Sequence, residues 1–459
     1  MNNKIFFKVF IGVVFIIGAI GFIFIRQHTA AQRPSIILIT LDALRPDHLG
    51  CYGYKRNTSP TIDTLARQGV IFTDFIAPSS HTAPSNASLI TSTYPNVHNI
   101  KDWGYQFSQK ISKTLPMLLK EYGYNTAFIS DQIGLTSIQE FKNGFNTFEV
   151  VRSFNYSPNP TRIIEITDSA ISWLKNNQHK QFFLWLYYFS PHGPYILPWP
   201  YDTMFVQDKY YSLNKNIPIS EDPYAQSPTK AIPRFLAVDG INDVDYYIAQ
   251  YDGEIRRVDY QIGRLLEELK KSHLGQNTVI IITSDHGEAL GEHERYFCHA
   301  NSLYDELIKI PLIISWDKKI PLCLKIDQQV RMVDLMPTIL DILKIRSRDM
   351  QGQSFLPLIM HKRDDFAPYA YSEQFELVSV RTKKWKLIYN QNNGKYELYD
   401  LENDPQERSN IVTKEKDSFA FLRHKLDEYL AAAKAQNKPV KPPIAEENKE
   451  NLRSLGYAQ

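Results

Sequence analysis

The sequence predicts an α/β sandwich on a largely parallel central sheet, followed by a small antiparallel β subdomain that carries a helix. Two observations support this. Between residues 35 and 343, short apolar runs alternate with amphipathic stretches of helical period, as in strands covered by helices on both faces. Beyond about residue 365, four short β-type segments follow one another with no helix between them, as in a meander.

In chain order, Ser35–Leu41 reads as a buried strand that ends on Asp42. Residues 58–69 read as a helix, with Ser59 or Thr58 as cap, Pro60 in the first turn and Gly69 as the stop. A second helix starts just after Thr82 and covers 84–91. Asn125–Ser130 and Phe182–Tyr188 are apolar strands with a helix, 161–176, between them. Residues 243–271 form a long amphipathic helix, because Ile248, Tyr251, Ile255, Val258, Ile262 and Leu265 recur at helical spacing. It leads into the strand Thr278–Thr283, which delivers Asp285 and His286 at its C-terminal end. A strand at 312–315 and a helix at 333–343 complete this part. The meander uses 369–372, 378–381, 385–389 and 396–399, with Asn392-Asn393-Gly394 turning the last pair, and a helix at 418–435 follows.

The N-terminus has a different character. Lys4 and Lys8 precede an apolar run, 9–25, that Arg26 closes. Counted from Ile5, it reaches the roughly 20 residues needed to cross a bilayer. The run exceeds a signal-peptide core, and Thr29-Ala30-Ala31 is a weak cleavage site, so an uncleaved single-pass anchor is favoured over a signal peptide. Either reading carries the rest of the chain to the periplasmic or extracellular side. The expected division is an anchor at 1–26, a linker at 27–34, a catalytic domain at 35–364, a β subdomain at 365–437 and an extended tail at 438–459.

Hydrophobic residues make up 43% of the chain, charged residues 22%, and the net charge is +2, an ordinary globular balance with no basic stripe for nucleic acid. Three cysteines are too few for a disulfide framework, and a single bridge between Cys298 and Cys323 stays open.

In open α/β sheets ligands bind outside the carboxyl ends of the strands, where Asp42 and Asp285 both fall. Adjacent aspartate and imidazole supply hard and borderline ligands to one divalent ion. Further blocks accompany them: Ile39-Thr40-Leu41-Asp42-Ala43-Leu44-Arg45-Pro46-Asp47, Ser80-His81-Thr82-Ala83-Pro84-Ser85-Asn86, Pro191-His192-Gly193-Pro194-Tyr195, Thr283-Ser284-Asp285-His286-Gly287-Glu288, Asp334-Leu335-Met336-Pro337-Thr338 and Tyr396-Glu397-Leu398-Tyr399-Asp400. Together they resemble the sulfatase family of the alkaline phosphatase superfamily, over nearly the whole chain after the apolar segment.

That resemblance implies a mixed-sheet α/β core with a small C-terminal β domain. It also implies one divalent metal held by Asp42, Asp285, His286 and the nucleophile, which by motif position is Thr82. Ca²⁺, Mg²⁺ or Mn²⁺ is expected, and the imidazole keeps Zn²⁺ open. Sulfatases oxidise a Cys or Ser at the nucleophile position to formylglycine. A threonine would give a ketone, so no formylglycine is expected. The Asp-Asp pair of sulfatases is Asp42-Ala43 here, and the motif arginine is Asn86.

The aldehyde hydrate of sulfatases has a second hydroxyl that expels sulfate by elimination. A plain alkoxide lacks it, which favours phosphoesters over sulfate esters. His192, by its motif, and His299 are candidates for contacting the ester or protonating the leaving group. Asn86 and Lys386 are candidates for binding the anion. His48, His98 and His293 are expected to be structural, and Glu288 and Glu292 to lie in a solvated loop. The expected partner is an anionic ester, glycan or lipid linked, with the membrane reached through the N-terminal helix. The functions in competition are an ester hydrolase, a phosphoethanolamine-type transferase acting on envelope glycans, and an inactive binding protein.

Overall fold

A computed structural model describes residues 33–151, 160–207, 215–222, 230–362, 366 and 369–434. The expected anchor at 1–26, most of the linker and the tail at 438–459 fall outside the described residues. Among the described residues no helix is long and apolar enough to cross a membrane.

The strands of the main sheet follow the apolar runs. They are β1 (Ser35–Leu41), β2 (Gly69–Ile76), β3 (Asn125–Ser130), β4 (Thr147–Val150), β5 (Phe182–Tyr188), β6 (Thr278–Thr283), β9 (Lys309–Trp316), β10 (Leu324–Ile326) and β11 (Val330–Arg331), with a separate hairpin of β7 (Ala289–Leu290) and β8 (Tyr296–Cys298) between β6 and β9. Their order is β10-β2-β9-β6-β1-β5-β3-β4, with β11 also on β2. Every pairing is parallel except those of β9, which runs antiparallel to both β2 and β6. The sheet is therefore mixed and largely parallel.

Every residue of β1, β5 and β6 is buried, because helices cover both faces of the sheet. Alternation along β1 sends Ile36 and Leu38 into one core and Ile37, Ile39 and Leu41 into the other. The second core is closed by α1 (Pro60–Arg67), α4 (Arg162–Asn176) and α5 (Val244–Lys271). The first is closed by α2 (Thr82–Thr91), α3 (Leu115–Glu121) and α6 (Leu335–Ile342).

Two local expectations change. Gly69 opens β2 instead of stopping α1. A Cβ there would lie 2.1 Å from the Ile314 carbonyl of β9, so glycine is required by strand packing. The second helix begins at Thr82 itself, with His81 as its cap, placing Thr82 in the first turn. All three cysteines are free, so Cys298 and Cys323 do not pair.

The C-terminal meander forms a four-stranded antiparallel sheet of β12 (Ala370–Gln374), β13 (Leu377–Arg381), β14 (Trp385–Asn390) and β15 (Tyr396–Asp400). Helix α7 (Lys416–Lys434) packs Leu422, Leu426 and Tyr429 against Val378, Val380, Leu387 and Leu398. Strand β12 also braces the approach to Thr82: Ser372 donates to the Ala77 carbonyl at 2.7 Å, and the Glu373 amide to the Pro78 carbonyl at 2.9 Å.

Candidate active site

The carboxyl ends of β1 and β6 are adjacent, since Thr40 pairs with Thr283, and each strand releases an acid into the same space. Asp42, Asp285 and His286 are wholly buried and each offers a ligand atom within 4.8 Å of the others. The His286 Nε2 lies 3.5 Å from Asp42 Oδ1 and 3.6 Å from Asp285 Oδ2. Its Nδ1 donates to the Gly287 carbonyl at 2.8 Å, which leaves a lone pair on Nε2 to face the acids. Gly287 is dictated by the sharp exit from β6, where a Cβ would sit 2.0 Å from the Glu306 carbonyl.

Thr82 completes the cluster. The start of α2 points its Oγ1 at His286 Nε2, 3.2 Å away. Asn86, one turn later, donates to the Thr82 carbonyl at 2.9 Å and to Asp285 Oδ2 at 3.3 Å, so it is fastened to the site's own framework. Tyr187 of β5 donates to the same Asp285 oxygen at 2.7 Å.

The electrostatics suit a divalent cation. Burial, and then the charge of Asp285, pushes the Asp42 carboxyl well above its usual range. Asp42 Oδ1 is buried and accepts no hydrogen bond. Among the described residues no lysine or arginine forms an ion pair with Asp42 or Asp285. Two carboxylates, an imidazole nitrogen and a hydroxyl around one orphaned acceptor fit a divalent metal.

His192 and His299 border this centre. The His299 ring stacks on His286 with 4.3 Å between centroids, and His192 meets His299 edge-on at 4.8 Å. Glu288 is 2% exposed and faces His299 Nδ1 at 3.2 Å, so it is not a solvated-loop residue. Burial lifts its carboxyl to about 7, while burial lowers His192 and His299 to about 3. Glu292 does lie in a partly open loop, paired with Arg45 at 2.9 Å.

Lys386 requires a correction. It is buried between Asp305 Oδ1 at 3.0 Å and Glu407 Oε1 at 2.9 Å, where these acids consume its charge, and it is not an anion ligand. The sequence reading also missed His81 and Gln132. His81 accepts from the Ala83 amide at 3.3 Å and lies 3.5 Å from Asp102 through Nε2. Gln132 donates to Asp42 Oδ2 at 2.9 Å. Only the adjacency of His81 to Thr82 offered a signal. His48 pairs with buried Asp252 at 2.7 Å and His98 bonds Ser88 at 2.8 Å, both structural as expected.

An acid–imidazole–hydroxyl cluster at the carboxyl ends of a mixed sheet suits the class of metal-dependent ester hydrolases. Comparison with known proteins makes this particular. The model of the family described as Sulfatase matches residues 34–345, and that described as N-sulphoglucosamine sulphohydrolase, C-terminal, matches 291–436. The chain belongs to the sulfatase family and is an ester hydrolase. It is 25% identical over 476 residues to the N-acetylglucosamine-6-O-sulfatase of Bacteroides thetaiotaomicron, covering 84% of each chain. In fold it is similar to a protein solved with its substrate D-glucosamine-2-N,6-O-disulfate, with a TM-score of 0.74 and 22% identity over 88% of this chain and 99% of that one. It is also similar in fold to the phosphonate monoester hydrolase of Agrobacterium radiobacter, with a TM-score of 0.71 and 20% identity over 90% and 99%.

Proposed function

We propose that this protein hydrolyses anionic esters by covalent catalysis through Thr82, with phosphoesters favoured over sulfate esters. The observation that carries this reading is the Thr82 hydroxyl 3.2 Å from His286 Nε2, at the start of α2 and beside two buried carboxylates. A free hydroxyl is a weak nucleophile at neutral pH. Asp42, Asp285, His286 and Thr82 Oγ1 would hold a divalent ion, which would lower the hydroxyl's pKa and offset the charge of the ester.

The rest falls to the chain's own groups. Asn86 and Tyr187 hold Asp285 in place, and Asn86 also ties it to the Thr82 backbone. Thr82 releases its proton to solvent as its Oγ1 forms a bond to phosphorus and the bond to the leaving alcohol breaks. Meanwhile His299 at the rim gives the departing oxygen its Nε2 proton and takes the Glu288 proton at Nδ1. Water then attacks the phosphorus and returns one proton through His299 to Glu288, and the Thr82 oxygen leaves and takes a proton from solvent. The same sequence at sulfur lacks the elimination route that a geminal hydroxyl provides. Relatives named for sulfated sugars support a glycan-linked ester as substrate, and the apolar segment 9–25 supports action at a membrane from its periplasmic or extracellular side.

Intact-protein mass measurement tests the reading, after incubation with an aryl phosphoester and an aryl sulfate, each with and without divalent metal. A metal-dependent phosphoryl adduct, absent from Thr82→Ala, is expected. Sulfate release that survives in Thr82→Ala would overturn the assignment of the nucleophile.

A further inference from the structure

The two edges of the main sheet differ in charge. At the carboxyl ends the chain places acids, among them Asp42 after β1, Asp131 after β3 and Asp285 after β6. At the amino ends it places cations. Ser35 of β1 pairs with Thr278 of β6, Asn125 of β3 with Phe182 of β5, and Gly69 of β2 with Ser315 of β9, so these positions mark one edge. Just outside them Arg67, Lys180, Lys270, Lys271, Lys318 and Lys319 are all exposed. The exposed acids in these segments are Glu267, which pairs with Lys271 at 2.8 Å, and Asp317. The edge keeps a positive excess.

An apolar groove of about 840 Å³ opens at the same edge, between the C-terminal ends of α1 and α5. Leu65, Leu266, Leu269 and Ile280 line it, and Leu322 stands beside them 66% exposed. Exposed apolar surface bordered by lysines fits the interface of an anionic bilayer, where apolar atoms enter the acyl boundary and ammonium groups meet the headgroups. The sequence adds a second reason for a lipid partner. Only residues 26–34 separate the apolar segment 9–25 from Ser35, the first residue of β1.

We propose that the amino edge of the main sheet docks on an anionic bilayer, with Lys270, Lys271, Lys318 and Lys319 at the headgroups and Leu322 in the acyl boundary. Strand β1 runs seven residues, about 23 Å, from this edge to Asp42, so the acidic carboxyl edge and the active site face away from the bilayer. The inference rests on the membrane location in the proposed function and not on the chemistry at Thr82.

Cys323 is exposed next to Leu322 and provides a native reporter. The full-length chain, with a fluorophore on Cys323, would be reconstituted in vesicles of phosphatidylcholine or of an equal mixture of phosphatidylcholine and phosphatidylglycerol. A nitroxide lipid serves as quencher and Cys323→Ser gives the background. Quenching is expected to be about twofold or more stronger in the anionic vesicles. It should fall to the neutral-vesicle level in about 1 M salt, where the Debye length is about 3 Å. The same fall is expected when Lys270→Glu, Lys271→Glu, Lys318→Glu and Lys319→Glu are combined, with circular dichroism checking the fold. A label on Glu294→Cys in the Cys323→Ser background, beyond the carboxyl end of β6, should stay at background in both vesicles. Equal quenching of Cys323 in the two vesicles would overturn the docking face and leave the membrane location standing. So would quenching that survives salt and the lysine replacements, or quenching at Glu294→Cys as strong as at Cys323. Failure of the chain to float with either vesicle would overturn the membrane location itself.

Discussion

The floor of the active site and the joint between the two sheets both bury charge, but they balance it in opposite ways. At the joint, Arg381 grips Asp74 and Asp305 at 2.8 Å each, Lys386 pairs with Asp305 and Glu407, and Lys309 approaches Asp74 at 3.8 Å. Three acids meet three cations. Burial raises the Asp305 carboxyl, yet the Arg381 and Lys386 charges outweigh it and hold the group below its usual range. At the floor, among the described residues, Asp42 and Asp285 meet neutral donors from Gln132, Tyr187, Asn86 and the Ala43 and His286 amides, and Asp42 is pushed upward. A buried cluster that is complete in charge acts as a structural joint. One that is short of positive charge is poised for a cation that the chain does not supply.

Five experiments can break or sharpen this contrast. Thr82→Ala should lower kcat by about 10³-fold or more while leaving the urea midpoint nearly unchanged, because it removes one hydroxyl from the floor and no charge. Lys386→Met should cost about 3–5 kcal/mol of stability in equilibrium unfolding, because it leaves Asp305 and Glu407 short of a counter-charge, yet kcat of the folded protein should hold within about threefold. Glu288→Gln should lower kcat by about 10–100-fold with little change in KM, because it disturbs the acid that orients His299 at the rim.

The fourth experiment concerns pH. His98 is buried, accepts from the Ile100 amide at 3.0 Å and is lowered by burial to about 3. Its unfolded value is near 6.5, so the unfolded state binds the extra proton first. The stability His98 contributes is therefore present above about 6.5 and is lost progressively as pH falls toward 3. Between pH 6.5 and 5 this loss is about 2 kcal/mol, and His98→Asn should flatten that part of the pH–stability curve. The smallest effect has the opposite sign to that of Lys386→Met. Asp42 is raised by burial and by Asp285, so its ionisation costs stability above the unfolded carboxylate range. Asp42→Asn should stabilise the metal-free protein by about 1 kcal/mol in thermal unfolding.

The central strands were legible because each is a short, wholly apolar run, and burial on both faces leaves that mark in the sequence. Asp42, Thr82, Asp285 and His286 were legible as ends of such runs and as parts of spaced blocks. Strand β2 was missed because Thr73 and Asp74 interrupt it, at a point where its register with β9 shifts between Phe72 and Phe75. Lys386 was misplaced for a related reason. A strand lysine looks free to bind an anion until its partners are known, and Glu407 and Asp305 come from elsewhere in the chain. Glu288 looked solvated because nothing in its neighbourhood showed that His299 would fold over it.

By itself the sequence determined which groups reach the carboxyl ends of the strands, because strand period and termination are local properties of the chain. The tertiary structure decided how those groups are held and compensated. Gln132 caps Asp42 from 90 residues away, Asn86 fastens Asp285 from 199 away, and Arg381 neutralises Asp74 from 307 away. Hydrogen bonds and ion pairs act over about 3–4 Å of space whatever the separation in sequence, so only the packed sheet could show which of the buried charges would be answered.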